Sequence, residues 1–168
     1  MAKIGILYGS STGNTEMIAE KLHKILTPDL ADLVNVDSAT EKEINKYDYI
    51  ILATSTWGIG DMQDDMEDFA EMLEKADLKN KKVALIGLGD QDTYPDSFVD
   101  GIGTLYNKLK NKTTFVGQWP TKGYNFTDSD AVKGNKFVGL VIDQDSQPSK
   151  TQERLEKWAD QVIKEFGL

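Results

Sequence analysis

The chain has no cysteine among its 168 residues. Disulfides, thiolate catalysis, iron–sulfur clusters and zinc–thiolate sites are excluded outright. A single histidine removes most metal-ligand and acid–base arrangements; His23 falls inside a helical pattern and reads as an ordinary helix residue. Positive charge is also scarce: 19 Lys and Arg stand against 28 Asp and Glu, a formal charge of −9. Nucleic acid and anionic membrane surfaces demand the opposite balance. No apolar run approaches the roughly 20 residues of a membrane span, and no signal-peptide pattern is read at the N-terminus. Repeats, low-complexity tracts and linkers are missing too. These absences leave one domain over residues 1–168, long enough to bury a core without staples.

What is present alternates. Apolar runs of strand length occur at 3–8 (KIGILY), 31–36 (ADLVNV), 48–54 (DYIILAT), 82–88 (KVALIGL) and 136–142 (KFVGLVI). They are nearly continuous, as parallel strands covered on both faces must be. Between them run helical stripes: Ile18, Leu22, Ile25 and Leu26 in 14–26; Met62, Met66, Phe69, Ala70 and Leu73 in 62–76; Phe98, Ile102, Leu105, Tyr106 and Leu109 in 97–110; and Leu155, Trp158, Ala159, Val162 and Phe166 in 151–166. Strand–helix alternation predicts an α/β, doubly wound sheet. One stretch breaks the rhythm. Between TTFVGQ (113–118) and KFVGLVI, residues 119–135 are rich in turn formers and have no helical stripe. They read as an insertion that interrupts the last strand.

The segment from Lys3 to Leu22 raises the first chemical question. A buried strand ends in Gly9, crosses Ser10, Ser11, Thr12, Gly13, Asn14 and Thr15, and enters a helix. Backbone amides at a helix N-terminus form a ready anion site. Yet this is not a Walker A loop: Gly9 to Gly13 is one residue short, and Asn14 stands where Lys belongs. A dinucleotide fingerprint fails as well, because Ser11 occupies the second glycine position. A Ser/Thr N-cap would employ one or two of these hydroxyls. Four in six residues point instead to a phosphate held by uncharged donors and buried.

Two further loops carry one large aromatic each: Trp57 in STWGIGD (55–61) and Tyr94 in GDQDTY (89–94). Either alone could be a plug on the core. Together with the anion loop they suit a flat, conjugated, phosphorylated ligand. The motifs YGSSTGNTE, TSTWGIGD, GLGDQDTY and GNKFVGLVIDQD, at their spacing, resemble the flavodoxin family, and the inserted last strand is similar to its long-chain branch. The resemblance runs from Lys3 to Leu168. It implies a three-layer, five-stranded parallel sheet of order 2-1-3-4-5. In such sheets, flavodoxin being a standing example, ligands sit where the strand order reverses.

The resemblance further implies non-covalent FMN. Ser10, Ser11, Thr12, Gly13, Asn14 and Thr15 would hold its phosphate, and Ser55 and Thr56 would lie near the ribityl chain. Trp57 and Tyr94 would stack on the two faces of the ring. Gly58, Ile59, Gly60, Gly89 and Asp90 would contact its edge; Leu88, Phe98 and Asp145 complete the expected site. In this family the peptide after the Trp can flip towards flavin N5 in the semiquinone, and Gly58 would ease that flip because it lacks a Cβ. Ser10 and Ser11 replace larger residues common in the family's loop, and a threonine-rich TST precedes Trp57 where proline is frequent.

The acids acquire a meaning beside such a cofactor. Residues 61–74 carry acids and no base until Lys75; Asp90, Asp92, Asp96 and Asp100 follow strand 4, and Asp143 and Asp145 follow strand 5. A carboxylate rim would raise the energy of an anionic hydroquinone and steer partners with basic docking faces. A solvated helix face accounts equally well for each acid of 61–74 taken singly. The expected function is a low-potential one-electron carrier, shuttling FMN between semiquinone and hydroquinone, with the chemistry in the cofactor. Expected partners are flavodoxin/ferredoxin reductases using NADPH and pyruvate-oxidising complexes. The chain is expected to be a cytoplasmic monomer with no nucleic-acid or membrane partner. An FMN-dependent quinone reductase would need a basic pocket for a second nucleotide. A phosphoryl-accepting receiver would need acids where this chain has YGSS and ATST. A pure interaction module would need no paired aromatics.

Overall fold

Apolar runs with no polar face must be covered on both sides. The computed structural model, which describes residues 3–168, covers them so; positions 1 and 2 of the expected domain lie outside the described residues. Along the chain come β1 (Ile4–Tyr8), α1 (Asn14–Leu26), β2 (Ala31–Asn35), α2 (Glu41–Lys46), β3 (Tyr49–Trp57), β4 (Asp61–Met62) and α3 (Asp64–Lys75). There follow β5 (Lys82–Leu88), α4 (Asp100–Leu109), β6 (Thr114–Val116), β7 (Trp119–Pro120), β8 (Val132–Lys133), β9 (Lys136–Phe137), β10 (Leu140–Ile142) and α5 (Thr151–Phe166).

The main sheet runs β2-β1-β3-β5-β10, all parallel, which is the 2-1-3-4-5 order expected. Its fifth position is shared. β6 pairs with the start of β5 (Thr114 beside Lys82), and β10 pairs with its end (Leu140 beside Ile86). Alternate strand residues face opposite layers. Ile4, Ile6, Ile51, Ile86 and Ile142 pack under α1 and α5 with Leu22, Trp158 and Phe166. Leu7, Leu52, Leu85 and Val141 pack under α3 and α4 with Phe69, Leu73 and Leu105. Each large apolar side chain so enclosed contributes on the order of 1.5–3 kcal/mol.

Three expectations are corrected. The run 136–142 is not one strand: Lys136–Phe137 belongs to a separate antiparallel sheet, β7-β9-β8, and only Leu140–Ile142 joins the main one. The break falls at Gly139, where a Cβ would land on the Leu85 carbonyl. The pattern over 62–76 begins as a helix only at Asp64, because Met62 pairs with Thr56 in a hairpin. Similarly, 97–110 is helical only from Asp100, since Val99 takes φ 50, a conformation costly for a β-branched residue. The short α2 carries a Thr40–Glu43 capping box and was not read from the sequence.

The insertion is anchored by aromatics rather than by a helical stripe. Phe98, Tyr124, Phe126 and Phe137 cluster at ring separations of 5.2–6.1 Å. The guanidinium of Arg154 lies 4.0 Å from the Tyr124 ring centre. Tyr124 Oη donates to the Val141 carbonyl at 2.5 Å and accepts from Trp119 Nε1 at 3.0 Å. This ties the insertion to β10.

Candidate functional site

The carboxyl ends of β1, β3 and β5 converge where the strand order reverses. β1 leaves the sheet at Gly9, whose N–H still bonds the Ala53 carbonyl at 3.1 Å. Ser10 Oγ accepts the Gly13 N–H at 3.1 Å and folds the loop back. Gly13 takes φ 95 and sits at the N-cap of α1 without any side-chain cap; the first helical backbone bond runs from Met17 N to Gly13 O. The amides of Asn14, Thr15 and Glu16 therefore face an end of the helix where an outside acceptor is wanted. A Ser/Thr cap, the simpler reading of this loop, is not what the hydroxyls make.

The second wall is a hairpin. β3 turns at Trp57 and returns as β4, with Trp57 opposite Asp61. The turn uses positive φ at Gly58 (52) and Gly60 (94). Thr56 Oγ1 accepts the Gly101 N–H at 2.8 Å, pinning the hairpin to α4.

The third wall follows β5. Asp90 Oδ1 accepts the N–H groups of Asp92 and Thr93 at 3.1 Å each, and the Ser146 hydroxyl at 2.9 Å. Burial pushes its carboxyl up, but these donors, Thr93 and Ser146 before Asp92, outweigh burial and hold it below the usual range. Asp143 is wholly buried and accepts from Gln91 N at 2.9 Å and Ser146 N at 2.8 Å. It clamps the loop after β5 to the loop after β10. Asp145 is exposed, yet burial of its carboxyl, and then the charges of Asp90 and Asp143, raise its pKa. The insertion braces this wall from behind: Asn125 N bonds Gln91 Oε1 at 2.6 Å, and Asp130 N bonds Asp100 Oδ1 at 2.7 Å.

Between these walls lies a cleft open to solvent. Hydroxyls of Ser11, Thr12 and Thr15 line one end, Trp57 and Tyr94 line it further along, and none of its lining residues is Lys or Arg. Trp57 and Tyr94 keep 41% and 43% of their surface exposed, which leaves ring area to cover. The family model described as Flavodoxin matches residues 6–158. The chain belongs to the flavodoxin family. It is 48% identical to a Helicobacter pylori flavodoxin over 99% of this chain and 100% of that one. With a Synechococcus elongatus flavodoxin it shares 42% identity over the whole of both. The crystal structure of Fusobacterium nucleatum flavodoxin bound to flavin mononucleotide superposes with a TM-score of 0.93 at 33% identity, covering 99% of each chain.

Most of the expected site residues meet in the cleft. Ser11, Thr12, Asn14, Thr15, Ser55, Thr56, Trp57, Gly58, Leu88, Gly89, Asp90, Tyr94 and Asp145 all line it. Ser10, Gly13, Ile59 and Gly60 shape its loops without lining it; Ile59 is 93% exposed at the hairpin tip. Phe98 is corrected. Its ring is 1% exposed and packs against Phe126 and Phe137 behind Gly89, on the core side of the loop. The acidic rim is also thinner than expected, because Asp143 and Asp100 are buried. Asp100 is raised by burial, against the Asp130 N–H bond, and then by the Asp130 and Asp128 charges. Along α3, Asp64, Glu67, Asp68, Glu71 and Glu74 remain exposed, and the acids of its first turn suit the helix N-terminus. Gln144 lines the cleft and was missed; nothing local in the sequence marks a glutamine for that place.

Proposed function

We propose that the cleft binds FMN non-covalently and that the chain works as a low-potential one-electron carrier. The observation that carries this reading is an uncapped helix N-terminus ringed by hydroxyls, at one end of a cation-free cleft bearing two exposed aromatics. The donor set fits the group. A terminal phosphate takes the first-turn amides of α1 and the hydroxyls of Ser11, Thr12 and Thr15. Trp57 and Tyr94 offer faces to a planar ring, and backbone groups of Gly58, Gly89 and Asp90 suit its polar edge. FMN supplies the electron transfer itself.

The residues around it then act by position and charge. Asp90, Asp145 and a dianionic phosphate all disfavour a further negative charge in the cleft, more strongly where water is excluded. Uncharged phosphate donors leave that penalty in place, which favours low potential. The exposed acids of α3 suit a basic docking face on a partner such as a flavodoxin/ferredoxin reductase or a pyruvate-oxidising complex. Among the described residues no helix is long and apolar enough to cross a membrane; action as a cytoplasmic monomer belongs to the same proposal. An anaerobic reductive titration followed by visible spectrum tests it. Two resolved one-electron steps support the carrier. A single two-electron step favours a reductase, and a colourless protein that takes up no FMN removes the cofactor.

A further inference from the structure

Gln63 lies in none of the loop motifs, yet it is 1% exposed and its side-chain amide is fully committed. Its Oε1 accepts the Met66 N–H at 2.9 Å, capping α3. Its Nε2 donates to Asp65 Oδ2 at 3.0 Å and to Ser11 Oγ at 3.1 Å. The two ends of this amide cannot be exchanged. A backbone N–H only donates and a carboxylate only accepts, so oxygen must face Met66 and nitrogen must face Asp65. Ser11 Oγ therefore accepts the Gln63 N–H and must direct its own hydroxyl proton elsewhere. Ser11 lines the cleft, so the cleft is open to that proton.

We propose that Gln63 is a positioning residue for phosphate binding: by donating to Ser11 Oγ it commits that hydroxyl to donate into the cleft. This rests on reading residues 11–15 as the phosphate site. An unconstrained serine hydroxyl divides its time between donating and accepting, and only donation helps against a dianion. The Gln63 N–H also polarises the Ser11 O–H and strengthens it as a donor. The site is built to hold Gln63 in place, since a Cβ on Gly9 would fall on its Oε1. Through this bond the phosphate loop is joined to the Trp57 hairpin, 52 residues away in sequence.

The test titrates the flavin-free full chain with FMN and with riboflavin, which differ by the phosphate alone. Ser11→Ala should weaken FMN roughly tenfold or more, the worth of a hydrogen bond to a charged group, and leave riboflavin unchanged. Gln63→Met, apolar and of similar length, should weaken FMN by about three- to tenfold, again sparing riboflavin. Combined with Ser11→Ala it should add nothing, because both changes act through one hydroxyl. Gln63→Glu made together with Asp65→Asn, which avoids a second carboxylate 3.0 Å from Asp65, keeps an acceptor for Met66 but turns the Ser11 O–H toward itself, so FMN should suffer more than with Met. It also decides the matter if loss of the cap leaves the Met variant unfolded. Equal weakening of both ligands, an additive double variant, or unchanged FMN-to-riboflavin ratios in the Gln63 variants would overturn the proposal. If Ser11→Ala leaves FMN affinity intact, Ser11 gives the phosphate nothing and the proposal falls; if the unaltered chain binds FMN no better than riboflavin, the phosphate-site reading fails instead.

Discussion

Removing one oxygen from Tyr124 asks whether the insertion stabilises the fold. Burial pushes the phenol's pKa up to about 12, so the group is a neutral donor under ordinary conditions. Tyr124→Phe leaves the ring, its edge-on packing with Phe137 and the Arg154 stack in place. It strips the partner from the Val141 carbonyl, on a fully buried residue, and from the Trp119 indole N–H, which is half-buried. Two lost bonds, one leaving a buried acceptor unpaired, should cost about 2–3 kcal/mol. At this chain length that is a fall in Tm of about 5–10 °C. Urea unfolding of the flavin-free chain measures the loss, and FMN titration should show little change because Tyr124 does not line the cleft. A loss below about 0.5 kcal/mol at unchanged denaturant slope would refute the reasoning. It would mean that water serves both groups and that the tie between insertion and sheet is weak.

Gly58→Thr meets no steric obstacle, as nothing lies within 4 Å of a Cβ there, so its cost is the positive φ alone, about 1–2 kcal/mol. If Gly58 eases the peptide flip by leaving the backbone free to turn, Gly58→Thr should lower the first one-electron potential; spectroelectrochemistry showing unchanged potentials would sink the idea. Asp145→Asn should make the flavin-free chain more stable at neutral pH. A raised carboxyl destabilises the fold when charged, so the advantage should shrink as pH falls through its raised folded value and vanish below about 3.9, the unfolded one. Unfolding curves across pH check the sign, and a variant less stable at pH 7 would contradict it. Association with a basic redox partner should slow as added salt takes the Debye length below about 10 Å; stopped-flow rates insensitive to salt would remove the acidic surface from docking.

The uncapped loop into α1 was legible in the sequence because it is contiguous: strand, turn and helix start lie within Lys3–Leu22, and backbone geometry follows from local order. The layered sheet was legible for a similar reason, since continuous apolar runs alternating with helical stripes admit few arrangements. The split of the last strand was only half legible. Turn-rich residues revealed the insertion, but the break at Gly139 depends on how closely β10 approaches Leu85, a distance no local pattern encodes. Phe98 was misjudged because an aromatic beside a ligand loop can face the ligand or the core, and only the packing of Phe126 and Phe137 decided for the core. Asp143 and Asp100 read as rim charges until the fold buried them and supplied backbone N–H groups as partners. Gln63 was invisible for the plainest reason. Its role is a hydrogen bond to Ser11 across 52 residues of chain. Sequence by itself determined which loops line the cleft, because periodicity and loop chemistry are local; tertiary structure decided which side chains in and behind those loops are free to act, because orientation and partner satisfaction are set by neighbours distant along the chain.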